Sequence, residues 1–127
     1  MFTVEKLCVY LSTIKKTHAM TILRIKKLEF DMILAGTKKT EWRSPSKYNK
    51  RLLFVPREED GKLVGNDQIK EIKLINGYSK NAPELTVKVK FIRMVRFTKD
   101  IHILEDNFRA SEGQFAIEIK LGKITKS

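Results

Sequence analysis

Apolar residues at the start of the chain recur at intervals of three and four, which is the period of a helix buried on one side. The positions are Val4, Leu7, Cys8, Leu11 and Ile14. We therefore expect residues 1–19 to form a helical extension and residues 20–127 to form the main domain. Cys8 lies on the apolar stripe and is interpreted as a small core residue, in preference to a nucleophile.

Polar and apolar residues alternate in residues 21–27, which predicts a strand with its apolar side chains on one face. Residues 28–35 return to helical spacing, and Gly36 follows at the point where a helix commonly ends in a left-handed residue. The charged residues 37–43 come next and are predicted to be extended. The order is therefore strand, short helix, glycine stop and charged strand.

Four further segments have the composition and alternation of strands. They are residues 51–55, 69–75, 85–97 and 114–121. Residues 58–68 are polar and contain glycine, which indicates a surface loop or the tip of a hairpin. Residues 76–83 form a turn-rich connection, and residues 101–108 are compatible with either a short helical turn or a loop.

The longest predicted strand, residues 85–97, places Val87, Val89 and Phe91 inward by alternation. Its section 91–95 is apolar on both faces, which suggests a bend or bulge of the kind that barrels need. With about six strands and two or three short flanking helices, the chain is predicted to be an α+β protein built on a small barrel-like sheet.

Composition limits the class of protein without identifying it. The 127 residues suffice for one core, and 42% hydrophobic with 32% charged residues is ordinary for a globular chain. Lysine and arginine number 26 against 15 acidic residues, a net charge of +11, which favours polyanionic partners, with nucleic acid ahead of a membrane surface.

A metal centre is not expected from these residues. Cys8 is the single cysteine, so neither a disulfide within the chain nor a cysteine cluster can form. His18 and His102 lack the close spacing of a zinc-binding pair. No metal and no other cofactor is predicted.

The sequence also lacks a run of about 20 apolar residues that would cross a bilayer, and its beginning does not resemble a signal peptide. We expect a cytoplasmic protein that does not bind membranes.

A high density of charged residues follows Gly36, in the sequence GTKKTEWR. Side chains two apart on a strand point to the same side, so Glu41 and Arg43 share a face, and Lys38 stands near the entrance of the strand. A lysine, a carboxylate and a guanidinium on one concave wall can hold an anion, read the edge of a base or move a proton.

Residues 22–43 resemble the opening of the ASCH domain, a member of the PUA-like barrel superfamily. Its signature is glycine, any residue, lysine, any two residues, glutamate, any residue and arginine, which Gly36, Lys38, Glu41 and Arg43 fill. The closing segment 114–124 and the segment 76–83 are similar to the family as well. The resemblance extends over residues 21–124 and implies a small PUA-like β-barrel.

The resemblance implies a cleft beside the signature that accepts RNA or a nucleotide. Some small ASCH proteins remove the acetyl group from acetylated cytidine, and another is associated with RNA cleavage. The amidohydrolases carry a threonine where this chain has Glu41. Thr40 is adjacent, but an offset of one residue turns its side chain to the opposite face, so the threonine nucleophile does not carry over.

Further candidates surround the signature. Residues 38–51 hold six basic residues and one acid, with Trp42 and Tyr48 among them, a pattern typical of stacked bases and neutralised phosphates. Trp42 faces away from Glu41, which favours core packing, whereas Tyr48 suits the cleft rim and the core equally. The ligand-binding candidates are Lys38, Glu41, Arg43, Tyr48, Arg51, Asn76 and Tyr78. Asn76 precedes a glycine and is equally explained as a turn residue.

Our main hypothesis is an RNA- or nucleotide-binding domain in which Lys38 and Arg43 line a solvent-open cleft. The first alternative is a small hydrolase acting on a modified nucleoside or on RNA, with Glu41 as general base and Lys38 assisting. The second is an interaction module of phage or plasmid type. A purely structural explanation is that Glu41 forms an ion pair with Arg43 or Lys38 that only rigidifies the wall of the cleft. The two cations are expected to depress the pKa of Glu41.

Overall fold

The computed structural model describes residues 20–127, so the helical extension predicted for residues 1–19 lies outside the described residues. The helices are α1 (Lys27–Leu34) and α2 (Lys47–Leu53), with a 3-10 helix at Leu104–Asp106. The strands are β1 (Thr21–Ile25), β2 (Thr40–Arg43), β3 (Phe54–Pro56), β4 (Leu63–Gly65), β5 (Glu71–Asn76), β6 (Glu84–Arg96), β7 (Ile101–Ile103), β8 (Phe108–Ala110) and β9 (Phe115–Lys126).

Five of these strands form one sheet in the order β1-β5-β6-β9-β2. β1 pairs with β5 in parallel, and the other three pairings are antiparallel. The sheet curls into a half-barrel, so β1 and β2 are its two edges. The α+β class and the barrel-like sheet predicted from the sequence are confirmed at this level.

The main core lies on one face of this sheet. On β9 the buried side chains Ile117, Ile119 and Leu121 follow the predicted alternation. Other members of the core are Leu23, Ile25, Phe30, Ile33, Leu53, Phe54, Ile72, Leu74, Leu85, Val87 and Ile92. A smaller cluster of Phe97, Ala110 and Ala116 packs against Trp42 and the β7–β8 hairpin.

The long strand β6 changes phase in its middle. Its pairing with β9 shifts register at three points between Thr86 and Phe91. As a result Ile92 is buried and Phe91 is exposed, so the inward placement predicted for Phe91 is wrong. The predicted bulge does occur, but before residues 91–95, because an extra residue there reverses which side chains face the core.

The strand predicted at residues 51–55 is partly wrong, because α2 continues to Leu53 before β3 begins. Ser46 is the N-cap of α2, and its side chain accepts a hydrogen bond from Asn49 N at 3.1 Å. The serine was a usable signal for this helix. Leu53, at the end of α2, is completely buried.

Short hairpins raise the number of strands in the described chain to nine, above the six expected. Residues 58–68 form a hairpin as predicted, but they contain a strand, β4, that pairs with β3. Residues 101–108 hold β7, the 3-10 helix and the start of β8. A Cβ at Gly65 would lie 1.8 Å from Ile92 O, so only glycine allows β4 to approach β6 this closely.

Neither helix within residues 20–127 has the length and apolar composition that crossing a membrane requires.

Candidate functional site

The charged segment is aimed by the end of α1. Gly36 adopts a φ of 82°, and the backbone N–H groups of Thr37 and Lys38 both donate to Met32 O, at 2.9 and 3.1 Å. Such a left-handed residue satisfies the last carbonyls of a helix and reverses the chain, as predicted from the glycine. The chain leaves the turn directly into β2.

Pairing with β9 explains why Glu41 and Arg43 face the inside of the half-barrel. Glu41 lies opposite Ile119 and Arg43 lies opposite Ile117, two completely buried residues of the core face. Directly opposite residues share a face of the sheet. The expectation that Glu41 and Arg43 point to the same side is confirmed, and Arg43 Nε donates to Glu41 Oε2 at 2.9 Å.

Lys38 is also brought to this site, but it does not stand in solvent. It is only 4% exposed, its Nζ donates to Asp106 O at 2.8 Å, and the same atom lies 3.6 Å from Glu41 Oε1. The solvent-open position predicted for Lys38 is therefore wrong. The ammonium belongs to the floor of the cleft because the backbone of the 3-10 helix closes over it.

Arg43 joins the two edges of the sheet. Its Nη2 donates to Arg24 O on β1 at 2.9 Å, while its Nε holds Glu41 on β2. The rigid fork of a guanidinium suits two acceptors in different directions. The edges of the half-barrel are therefore linked at this residue, and the cleft lies along the same seam.

Asp106 supports the motif and was missed by the sequence analysis. Its Oδ1 accepts from the backbone N–H groups of Lys39 and Thr40 at 3.2 and 3.3 Å, and its Oδ2 accepts from Trp42 Nε1 at 3.0 Å. Asp106 lies more than sixty residues along the chain from these partners, in a segment without clear periodicity. No local signal in the sequence indicates that contact.

Burial reverses the expected titration of Glu41. The side chain is 6% exposed, and desolvation raises its pKa above the ordinary value, although Arg43 and Lys38 act in the opposite direction. Glu29 adds a smaller upward contribution to that pKa. The depressed pKa predicted from the two flanking cations is therefore wrong, because the position of Glu41 on the core face could not be read from the motif.

These residues line a cleft of about 580 Å³. Its lining residues are Arg24, Ile25, Lys26, Lys27, Glu29, Lys38, Glu41, Trp42, Arg43, Ser44, Asn49, Gly77, Tyr78, Asp106, Asn107 and Phe108. The volume is in the range of pockets that hold small organic ligands. The cleft thus contains three of the predicted residues in direct contact, Lys38, Glu41 and Arg43.

An aromatic wall borders the cleft. Trp42 stacks on Phe108 with ring centroids 4.6 Å apart and an angle of 10° between the planes. Trp42 also packs on Phe97 in the smaller core cluster. The core packing favoured for Trp42 is therefore observed, and the same residue contributes to the lining of the cleft.

The remaining sequence candidates divide between the cleft and the surface. Tyr78 lines the cleft, is 83% exposed and lies under the Arg24 guanidinium, 5.7 Å from the ring centroid. Asn76 ends β5, does not line the cleft, and donates its backbone N–H to Pro83 O. Tyr48, 68% exposed, and Arg51 lie on α2 and do not line the cleft either.

Glu29 and Asn107 are further lining residues that the sequence analysis did not identify. Asn107 follows the 3-10 helix in a left-handed conformation, with φ 52° and ψ 51°, which asparagine tolerates better than most residues. Its Nδ2 donates to Glu29 Oε1 at 3.2 Å. The pair connects α1 to the loop after the 3-10 helix across one end of the cleft.

The described residues contain no group of three histidine, cysteine, aspartate or glutamate side chains arranged to hold a metal ion. Comparisons of the chain with protein-family models, with curated proteins and with solved structures gave no match.

Proposed function

We propose that this protein is an ASCH-type domain of the PUA-like barrel class that binds RNA or a nucleotide in the cleft between β1 and β2. The observation that supports it most is the distribution of charge in the cleft. The floor pairs the buried Lys38 and the half-buried Arg43 with Glu41, whereas the rim carries the half-buried Arg24 and the exposed Lys26 and Lys27. A nucleotide has the same division between a polar, uncharged base and a charged phosphate.

The rim supplies the phosphate contacts in this proposal. Lys26 is exposed, and its side chain caps no backbone group of α1. Lys27 is paired with Asp31 at 2.6 Å on the helix surface, which leaves Lys26 as the better phosphate ligand of the two. Arg24 is positioned by its hydrogen bond to Gly77 O at 2.9 Å and can accept a phosphate with its remaining donors.

The aromatic residues supply the surface for a base. Tyr78 is exposed at the cleft edge, and Trp42 and Phe108 form a stacked pair in its wall. Stacking of a base on an aromatic ring contributes about 1–3 kcal/mol in single-strand recognition. Unpaired bases are accordingly the expected ligands, either in single-stranded RNA or in a free nucleotide.

The test is the equilibrium affinity for a short, fluorescently labelled single-stranded RNA, measured by anisotropy over a range of salt concentrations. The wild-type protein should lose affinity steeply as salt rises, by roughly 0.7 log unit per log unit of salt for each phosphate neutralised. Lys26→Gln should weaken binding and reduce that slope by the equivalent of one phosphate. Lys99→Gln, an equal charge change at an exposed loop position outside the cleft, is the control.

A flat salt response, or equal losses from both variants, would contradict the proposal. The first result would favour the protein-interaction module, and the second would indicate diffuse attraction by the net charge of +11.

A hydrolase is the second candidate, and the raised pKa of Glu41 favours it. A carboxylate with a raised pKa binds a proton more tightly, which makes it a better general base than a carboxylate with the depressed pKa predicted from the sequence. Against it, both oxygens of Glu41 already face cations, Oε2 bonded to Arg43 and Oε1 near Lys38. Such a carboxylate is positioned to accept from an amine more readily than to activate water.

Incubation of the pure protein with acetylated cytidine and with short RNAs separates the two candidates. Turnover that Glu41→Gln abolishes and that Tyr48→Ala leaves intact would establish the hydrolase. Stable binding without turnover would leave the binding function in place.

A further inference from the structure

The helix α2 begins at one end of the cleft. Ser44 and Asn49 line the cleft, and Asn49 Nδ2 donates to Ser44 O at 2.9 Å. Ser46 caps α2 by accepting from Asn49 N. These bonds fix the first turn of α2 close to Arg43, which directly precedes Ser44 and links the edges of the sheet. A chain-like ligand that leaves the cleft at this end meets α2.

The outward side of α2 carries positive charge and an aromatic ring. Lys47, Tyr48 and Arg51 are exposed, whereas Leu53 on the opposite side is buried in the main core. Arg51 follows Lys47 by four residues and Tyr48 by three, so its side chain neighbours both on the helix. We call Lys47, Tyr48 and Arg51 the α2 surface.

No carboxylate neutralises the α2 surface. The sequence has no acidic residue between Glu41 and Glu58. Within residues 20–127, neither Lys47 nor Arg51 forms an ion pair. Unpaired cations next to a cleft with a basic rim favour a polyanionic ligand that extends beyond the cleft.

Unpaired lysines alone do not make a site. In the part of the chain that the structure describes, Lys88 and Lys90 on β6 are also exposed and form no ion pair. They do not line the cleft, and no lining residue belongs to β6. The α2 surface differs because its own helix contributes Asn49 to the cleft.

We propose that the α2 surface continues the cleft as a track for single-stranded RNA, so that the ligand is a strand and not a free nucleotide. This inference depends on the nucleotide-binding function proposed above and specifies the class of ligand. One nucleotide occupies the cleft, and the next phosphates along the strand contact Lys47 and Arg51. A neighbouring unpaired base stacks on Tyr48.

The chemistry of the α2 surface suits a strand. A mononucleotide bound in the cleft has no second base and no further phosphate along a chain to place on α2. Cations interleaved with an aromatic ring are the arrangement with which proteins bind single strands. Contacts to phosphates and to the faces of bases carry no base identity, so the track should accept any sequence.

The test compares UMP with hexauridylate at one fixed salt concentration. Binding of both is followed through the indole N–H resonance of Trp42, which lines the cleft. Hexauridylate should bind on the order of a hundredfold more tightly than UMP, because it adds phosphate contacts and a stacked base. That gain exceeds the statistical advantage of having several equivalent nucleotides in one ligand.

Variants of charge assign the gain to the α2 surface. Lys47→Gln combined with Arg51→Gln should remove most of the gain and reduce the salt slope for hexauridylate by roughly 1.4, the equivalent of two phosphates. UMP should bind this double variant as it binds the wild-type protein. Glutamine is a good helix former, so α2 should be retained. Lys88→Gln combined with Lys90→Gln removes the same charge outside the cleft and should preserve the gain.

Variants of Tyr48 separate stacking from charge. Tyr48→Ala should weaken hexauridylate binding on the order of tenfold without changing the salt slope, because the ring contributes no charge. Tyr48→Phe keeps the ring and should keep the affinity. Neither variant should change the affinity for UMP.

The outcomes separate this inference from the function on which it depends. Equal affinities for UMP and hexauridylate, or a gain that both double variants reduce equally, would overturn the track and leave nucleotide binding in the cleft intact. Hexaglutamate that binds as tightly as hexauridylate, and loses its affinity in the Lys47 and Arg51 double variant, would assign the α2 surface to an acidic protein instead. If neither UMP nor hexauridylate shifts the Trp42 resonance, the proposed function itself fails.

Discussion

At the scale of single residues, Asp106 holds the motif in place and Glu41 gives it its chemistry. Asp106 receives four donors from residues 38–42 through its two carboxylate oxygens and its backbone carbonyl. Those bonds fix the start of β2 and orient Trp42 over the cleft. Glu41 is then buried on the core face with a raised pKa. The shape of the site therefore depends on a residue outside the motif.

Asp106→Asn should destabilise the fold by about 1–3 kcal/mol, because an amide nitrogen cannot accept and one set of its donors is left unpaired. The measurement is the free energy of unfolding from urea denaturation. Asp67→Asn, at an exposed position, is the control and should leave that free energy nearly unchanged. Equal stability of both variants would show that Asp106 does not support the motif.

Carbon-detected NMR of the carboxyl groups should show Glu41 titrating above its ordinary pKa of 4.5, because burial outweighs the two cations. Arg43→Gln should raise this pKa further, since Arg43 is the strongest of the lowering influences. By linkage, protonation of Glu41 adds to the stability of the folded protein. This contribution is fully present below the ordinary pKa of the group and is lost as pH rises through its raised pKa in the folded state.

Asp60 provides the internal control in the same spectra. Its hydrogen bond from Arg57 lowers its pKa below 3.8, and Arg43→Gln should not affect it. A Glu41 titration at or below 4.5 would contradict the burial argument.

At the scale of secondary structure elements, the cleft exists because the curled sheet leaves β1 and β2 as separate edges, which the Arg43 side chain links. Arg43 reaches from β2 to Arg24 O on β1, and α1 with its glycine turn connects the same two strands. The position of the cleft therefore follows from the sheet order.

Arg43→Lys should loosen this seam, because an ammonium does not reproduce the fork that bonds Glu41 and Arg24 O together. We expect a loss of about 1–3 kcal/mol in stability, with faster amide hydrogen exchange in β1 and β2. Arg93→Lys is the matched control, since the Arg93 side chain is 63% exposed in its pair with Glu118. Unchanged exchange in both edge strands would contradict the role of Arg43 as a link.

The sequence predicted correctly those features of secondary structure that depend on neighbouring residues. The glycine stop after α1 and the alternation of β9 were both correct, since each depends on residues close in sequence. The phase of β6 was wrong at Phe91, because a bulge depends on pairing with β9. The start of β3 was wrong because the apolar pair Leu52 and Leu53 suits either a strand or the end of α2.

At the scale of the whole molecule, the motif predicted that its charged side chains lie on one face, but it did not predict how deeply they are buried. Spacing placed Glu41 and Arg43 together, whereas the burial of Lys38 depends on a 3-10 helix far along the chain. Tyr48 and Arg51 were proposed from proximity in sequence, and α2 carries them to the surface outside the cleft. The net charge of +11 predicts attraction of polyanions without specifying where they bind.

The most direct test of ligand binding in the cleft uses the indole N–H of Trp42, the single tryptophan of the chain. In a two-dimensional NMR titration with short single-stranded RNA, its resonance should shift and saturate together with the amides of Lys26 and Asn107. Amides of Lys88 and Lys90, exposed residues of β6 that do not line the cleft, should stay in place. Shifts confined to that part of β6, with the Trp42 resonance unmoved, would contradict the account.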